Sequence, residues 1–221
     1  MDLAARSLSG VLIFIFLWPA IFLPLDYHLE EPLVVWLGTL GLVGFSLLRL
    51  ALVKFTEVFY EQHRRLWLTL FAGFSLTQAA IWGALFAFVV HQDLFSDVGI
   101  ATTVAIAGTS SGAVSSLMPR LWIASTNVTL VLLPAIVICV LDNNSSLAFL
   151  MLSYLAYLQL QGYRANSEYQ RAFEIEQQLH QEQQKLAKAG RLDPLTRIYN
   201  RGHFNTALEV QWHSGLRSKA E

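Results

Sequence analysis

Charge is scarce in this chain of 221 residues: 14% are Asp, Glu, Lys or Arg, where a soluble domain has about a quarter. That shortage excludes an ordinary water-soluble globule, and a hydrophobic content of 54% excludes a disordered chain. Cysteine occurs once, as Cys139, so neither a disulfide framework nor a cysteine-based zinc site can be built. Neither sign of charge is in excess. The net charge is −1 and the pI about 6.6, which leaves no global basic field to draw the chain to nucleic acid. What the chain has in plenty is long apolar runs, with a mean hydropathy of +0.46. A membrane protein is the class that remains.

A bilayer core of roughly 30 Å takes about 20 apolar residues of helix. Six stretches, 7–25, 33–48, 66–90, 98–118, 121–141 and 145–163, are apolar and free of Asp, Glu, Lys and Arg. The first follows Arg6 as a signal peptide would. Pro19 and Pro24 lie late in it, however, and Asp26-Tyr27-His28 follows in place of a small-residue cleavage site, so it reads as a retained helix. The connecting segments are segregated by charge. Arg6 precedes the first span, Arg49, Lys54, Arg64 and Arg65 follow the second, Arg120 follows the fourth and Arg164 the sixth. The alternate loops carry Asp26, Glu30 and Glu31, then Asp93 and Asp97, then Asp142, with no Lys or Arg. The positive-inside rule therefore predicts six spans with both termini cytoplasmic. Trp36, Trp67 and Trp122 fall near the predicted interfaces. The far-side loops are too short for a folded extracytoplasmic domain, so any signal must come through the bilayer, from its rim or from a partner.

The composition changes at Arg164. Residues 164–192 are rich in Gln, Glu and Lys, contain no proline, and favour helix. Ala172, Leu179 and Leu186 share one heptad position, and Ile175, Glu182 and Ala189 share the other. With Glu182 inside it, this is a weak two-stranded seam, and a solvated helix with an apolar stripe is the competing reading. A helix over this segment would extend about 43 Å at 1.5 Å per residue, long enough to act as a lever on whatever follows. A turn at Asp193-Pro194 then opens a further helix, with Asp193 as its cap and Pro194 in its first turn.

The run Asp193-x-Leu195-Thr196, followed by Asn200-Arg201 and Phe204, resembles the opening motif of GGDEF domains, the diguanylate cyclases, which stands directly after a signalling helix. Leu208 and Trp212 also sit where members often have Leu and an aromatic residue. Arg197, Ile198 and Gly202 depart from the usual Gly, Leu and Arg. The resemblance implies the membrane-sensor (MASE-like) and linker part of a bacterial inner-membrane cyclase that joins two GTP molecules into cyclic di-GMP, each head holding one GTP with Mg²⁺. It places the family's metal-binding Asp residues and Gly-Gly-Asp-Glu-Phe turn after Glu221, so no residue of this chain is carried over as catalytic. No cofactor and no metal site is expected within it. The expected fold is all-α. It comprises a six-transmembrane-helix bundle over 1–163, a long cytoplasmic signalling helix (a coiled coil making a homodimer) over 164–192, and the incomplete start of a GGDEF domain over 193–221.

Other groupings have two readings. His28 and His91, with Asp26, Asp93 and the other far-side carboxylates, form a candidate site for sensing pH or a divalent cation. Acidic loops are also simply what the positive-inside rule leaves on that side. In the fourth span Gly108 and Gly112 make a small-xxx-small pair among Thr and Ser residues, a packing face or a hydroxyl-lined groove. Gln78 and Asn127 are the most polar side chains deep in the spans, and are predicted to face the bundle interior.

Two function classes compete. One is a sensory or anchoring region that regulates a cyclase through the linker helix, in response to a small-molecule or membrane-borne signal. The other is a membrane transporter or a binding scaffold without signalling output. The spans as bounded above hold no ionisable residue, which argues against an ion-coupled carrier. The charge pattern predicts that a tag after Glu221 stays intact when protease is added to intact cells and is cut in inverted vesicles. Cleavage in intact cells would refute the orientation.

Overall fold

A computed structural model describes residues 2–56, 60 and 62–189 and, beyond them, residues 198, 200, 202, 204, 205, 208, 209, 211 and 212. These fall into two compact units, Met1–Tyr169 and Gln170–Glu221. The helices are α1 (Asp2–Phe22), α2 (Tyr27–Glu30), α3 (Pro32–Lys54), α4 (Arg64–Asp93), α5 (Asp97–Leu117), α6 (Leu121–Leu141) and α7 (Ser145–Ala189). No strand occurs among the described residues. The all-α expectation is met.

Among the described residues four helices, α3 to α6, are long and apolar enough to cross a membrane. Six were expected. The apolar part of α1, Gly10–Phe22, is shorter than a span, and the first half of α7 is diluted by Tyr154, Gln159 and Gln161. The distribution of side chains is that of a protein solvated by lipid. Leu33, Leu40, Val104 and Phe149 are all about 70% exposed or more, while Ser46, Arg49, Ser75, Gln78, Thr102 and Ser110 are buried. Water would favour the reverse arrangement.

The helix ends follow from local chemistry. Pro32 opens α3 at a position where no backbone N–H is needed. The Ser96 hydroxyl caps α5 by accepting from the Gly99 N–H at 3.1 Å. At the end of α6, Asn143 takes the left-handed conformation (φ 56°). The Asn144 N–H reaches the Cys139 carbonyl at 2.8 Å, and the Asn143 N–H reaches that of Val140 at 3.2 Å. These two bonds close the helix in a Schellman motif. The Asn144 side chain then caps α7, accepting from the Leu147 N–H at 3.3 Å.

The contact between α4 and α6 is the most extensive in the membrane unit. Gly83 sits at its closest point. A Cβ there would run into the Leu130 carbonyl oxygen and lie 2.9 Å from the Val131 Cα. Aromatic rings fill the space beside it, with Trp18 meeting Trp82 edge-on at 5.7 Å and Phe14 meeting Trp82 at 6.0 Å. Of the tryptophans expected at interfaces, Trp36 and Trp122 are exposed, whereas Trp67 is 1% exposed and stacks on Phe71 at 5.1 Å. Trp67 thus serves as core packing between α4 and α6, and its ring cannot reach lipid headgroups.

Helix α7 is fastened to α5 and α6 by side chains. The Tyr154 hydroxyl donates to the Ala107 carbonyl at 2.8 Å. The Gln159 amide donates to the Ser125 carbonyl at 3.1 Å and to the Thr129 hydroxyl at 3.0 Å. The Asn166 amide donates to the Met118 carbonyl at 2.6 Å. Within the second unit, Phe173, Ile175, Leu179 and Leu186 are exposed on α7, and Lys185 pairs with Glu182 at 2.6 Å.

Gly83→Ala is expected to destabilise the bundle by about 1–3 kcal/mol through overpacking. Gly73→Ala, where a Cβ meets nothing within 4 Å, should be neutral. Unfolding of both variants in detergent measures the difference.

Candidate functional site

The most polar point inside the membrane unit is Arg49. A span that begins at Pro32 and runs about 20 residues passes beyond position 49. Helix α3 does continue to Lys54, with Arg49 5% exposed within it. The sequence reading placed Arg49 in the loop after a span ending at residue 48 and found no ionisable residue inside the spans. The structure overturns both, since Arg49 is buried inside α3. A window that stops at the first charge cannot see that a distant side chain receives it.

That side chain is Gln78 of α4. The Arg49 Nη1 donates to Gln78 Oε1 at 2.8 Å. The Gln78 amide nitrogen donates back to α3, to the Ser46 hydroxyl at 2.6 Å and the Leu42 carbonyl at 3.3 Å. Leu42, Ser46 and Arg49 fall at i, i+4 and i+7 on α3, and Phe71, Ser75 and Gln78 do the same on α4, so each set shares one helix face. The guanidinium carbon also lies 5.4 Å from the centre of the Phe71 ring, a cation–π contact. Among the described residues no carboxylate pairs with Arg49. Its buried Nε–H has no acceptor, and neither does the buried Ser75 hydroxyl have a partner.

These groups face a cavity of about 190 Å³. Arg49, Ser75, Gln78 and Asn127 provide its polar wall, and Gly108 and Gly112 open its α5 side. Asn127 donates to the Ser75 carbonyl at 3.3 Å, tying α6 to α4. Gln78 and Asn127 therefore face the bundle interior as expected, each with its own partners. A Cβ on Gly108 or Gly112 would meet nothing within 4 Å. Of their two readings the groove is the one realised, and the close-approach glycine is Gly83. The cavity lies towards the end of the bundle where Lys54, Arg64 and Arg120 stand, since Arg49 is near the end of α3 and Asn127 near the start of α6.

The far-side residues are placed separately. His91 Nδ1 lies 3.1 Å from Asp142 Oδ2, joining the end of α4 to the α6–α7 turn. The Asp93 carboxylate accepts from the Phe95 N–H at 2.9 Å. Asp26 takes the left-handed conformation before α2. His28 packs its ring on Phe22, and its Nδ1 is buried without a partner. Beside these, the Tyr27 hydroxyl donates to Gln92 at 2.9 Å, and Gln92 donates to Glu31 at 2.8 Å. Burial, with Glu31 and Glu30 nearby, pushes the Tyr27 pKa up to about 12. Among the described residues no three His, Cys, Asp or Glu side chains gather where a metal ion could sit. In the opening motif, the Phe204 N–H donates to the Asn200 carbonyl at 3.1 Å and Phe204 is exposed. Asp193, Leu195, Thr196 and Arg201 lie outside the described residues.

Gln78→Leu leaves the Arg49 charge without its acceptor and should destabilise the bundle by about 2–3 kcal/mol. Replacing both partners, Arg49→Met with Gln78→Leu, should recover most of that loss, because no buried charge then remains. Reversible unfolding in mixed micelles provides the double-mutant comparison.

Comparison with protein-family models, with curated proteins and with solved structures found no match, so what is proposed for the site rests on its own residues and geometry.

Proposed function

We propose that residues 1–163 form a six-helix sensory domain of a bacterial inner membrane, with α1 and the first half of α7 as the outer two spans, and that it regulates a diguanylate cyclase head. The observation that carries the proposal is α7 itself, one uninterrupted helix from Ser145 to Ala189. Its first half is bonded to α5 and α6, and its second half leads towards the GGDEF-like motif. A shift of α5 or α6 therefore acts directly on the linker. In the second half, exposed Ile175, Leu179 and Leu186 offer an apolar stripe for a second copy, which suits a reaction that needs two facing heads. A marginal seam suits a switch, because two registers differing by a few kcal/mol can be exchanged by a small input. The GTP and Mg²⁺ chemistry belongs to the head, and no residue of this chain is assigned to it.

A transporter is the second reading, and buried Arg49 is the observation in its favour. One experiment addresses both. Joining an active cyclase domain after Phe204 should make cyclic di-GMP output depend on residues 1–163. Inserting one to four residues in 170–189 rotates the head by about 100° per residue, so output should rise and fall with the helical repeat. An output indifferent to the insertions and to deletion of 1–163 would leave the carrier reading in its place.

A further inference from the structure

The unneutralised guanidinium in the cavity has a chemical consequence. An isolated charge in a low-dielectric interior costs several kcal/mol, and a neutral amide and an aromatic face offset only part of that. The Nε–H of Arg49 and the hydroxyl of Ser75 add two buried polar groups without partners at the same wall. Together they ask for a monoanion that accepts two or more hydrogen bonds. A carboxylate matches the planar fork of a guanidinium, and its charge equals the single cation present. Besides Thr109 and Ser116, whose hydroxyls donate to carbonyls of their own helix, the rest of the lining is apolar or small and includes Ile13, Phe14 and Ala79. At about 190 Å³ the space exceeds the ~150 Å³ that accepts benzene, and corresponds to roughly six to eight carbon atoms. A phospholipid headgroup with two chains is too large for it.

We infer that the cavity between α1, α3, α4, α5 and α6 binds a small amphiphilic monocarboxylate, its head on Arg49 and Ser75 and its tail along Phe14 and the Gly108–Gly112 face. Such a ligand adds a polar bridge at the wall where Gln78 already joins α4 to α3 and Asn127 joins α6 to α4. Ser125 and Thr129, which hold Gln159 of α7, flank Asn127 on α6. Occupancy therefore bears on the turn of α6 that fastens the last helix. As an occupant of the cavity the carboxylate stands on geometry alone; as the signal of a sensory domain it rests on the function proposed above.

The test uses the full chain in phosphatidylcholine nanodiscs with labelled octanoate, subtracting uptake by empty discs. One saturable site per chain is expected. Arg49→Gln, which removes the charge and keeps a polar N–H donor, should weaken binding about tenfold or more. Gly112→Leu, where an added Cβ meets nothing within 4 Å, should do the same by filling the space, and its unfolding in detergent, measured alongside, separates loss of the site from loss of the fold. Octan-1-ol, with the same tail and no charge, should not compete. Absence of saturable binding, equal binding by both variants, or full competition by octanol overturns the proposal. Binding that leaves the output of the cyclase fusion unchanged overturns the role as signal while leaving the site intact.

Discussion

The bond between Arg49 and Gln78 is the constraint around which the membrane unit is arranged. A guanidinium cannot be left bare in an apolar interior, and the insertion of a charged residue at mid-helix costs about 2.5–3.5 kcal/mol even on the most lenient scales. Gln78 accepts from it and at the same time donates to Ser46 and the Leu42 carbonyl, so one amide holds α3 and α4 in register. The choice of glutamine is physically apt. A carboxylate would neutralise Arg49 and close the site to an anion, while an apolar residue would leave the charge orphaned.

The remaining contacts divide into tight and loose ones. At Gly83 the backbones of α4 and α6 touch, which dispersion and packing favour in a lipid environment that offers no hydrophobic drive. On the α5 side, Gly108 and Gly112 touch nothing with their missing side chains and leave room for the cavity. The same residue type thus does opposite things on two helices. Around this frame the Trp18–Trp82 pair fills volume, and Trp82 donates to the Thr109 hydroxyl at 3.2 Å, so that even the ring N–H is satisfied.

Helix α7 joins this core by polar side chains rather than by close backbone approach. Bonds from Tyr154, Gln159 and Asn166 to backbone carbonyls fix its position along the bundle. Apolar packing adds to these bonds, since Ala148, Met151 and Leu158 of α7 are buried in the main core. Of the polar residues that keep α7 from being as apolar as a typical span, Tyr154 and Gln159 make these bonds, while Gln161 donates to Tyr157 on its own helix.

Much of the architecture was legible in the chain alone. Apolar runs bounded by Lys, Arg, Asp and Glu marked the four long spans, because the cost of burying charge operates on every window of about 20 residues. Pro32, Ser96 and the Asn143-Asn144 pair signal helix ends by local geometry, which needs no partner from elsewhere. The inward orientation of Gln78 and Asn127 followed from the same cost. What only the tertiary structure decided was pairing. Whether Arg49 lies in a loop or in the core depends on an acceptor 29 residues away, whether Trp67 meets lipid or Phe71 depends on the neighbouring turn, and whether a glycine marks contact or space depends on the helix opposite. The first and the last of these are settled by the distance between groups remote in sequence, a quantity that hydropathy and periodicity do not contain.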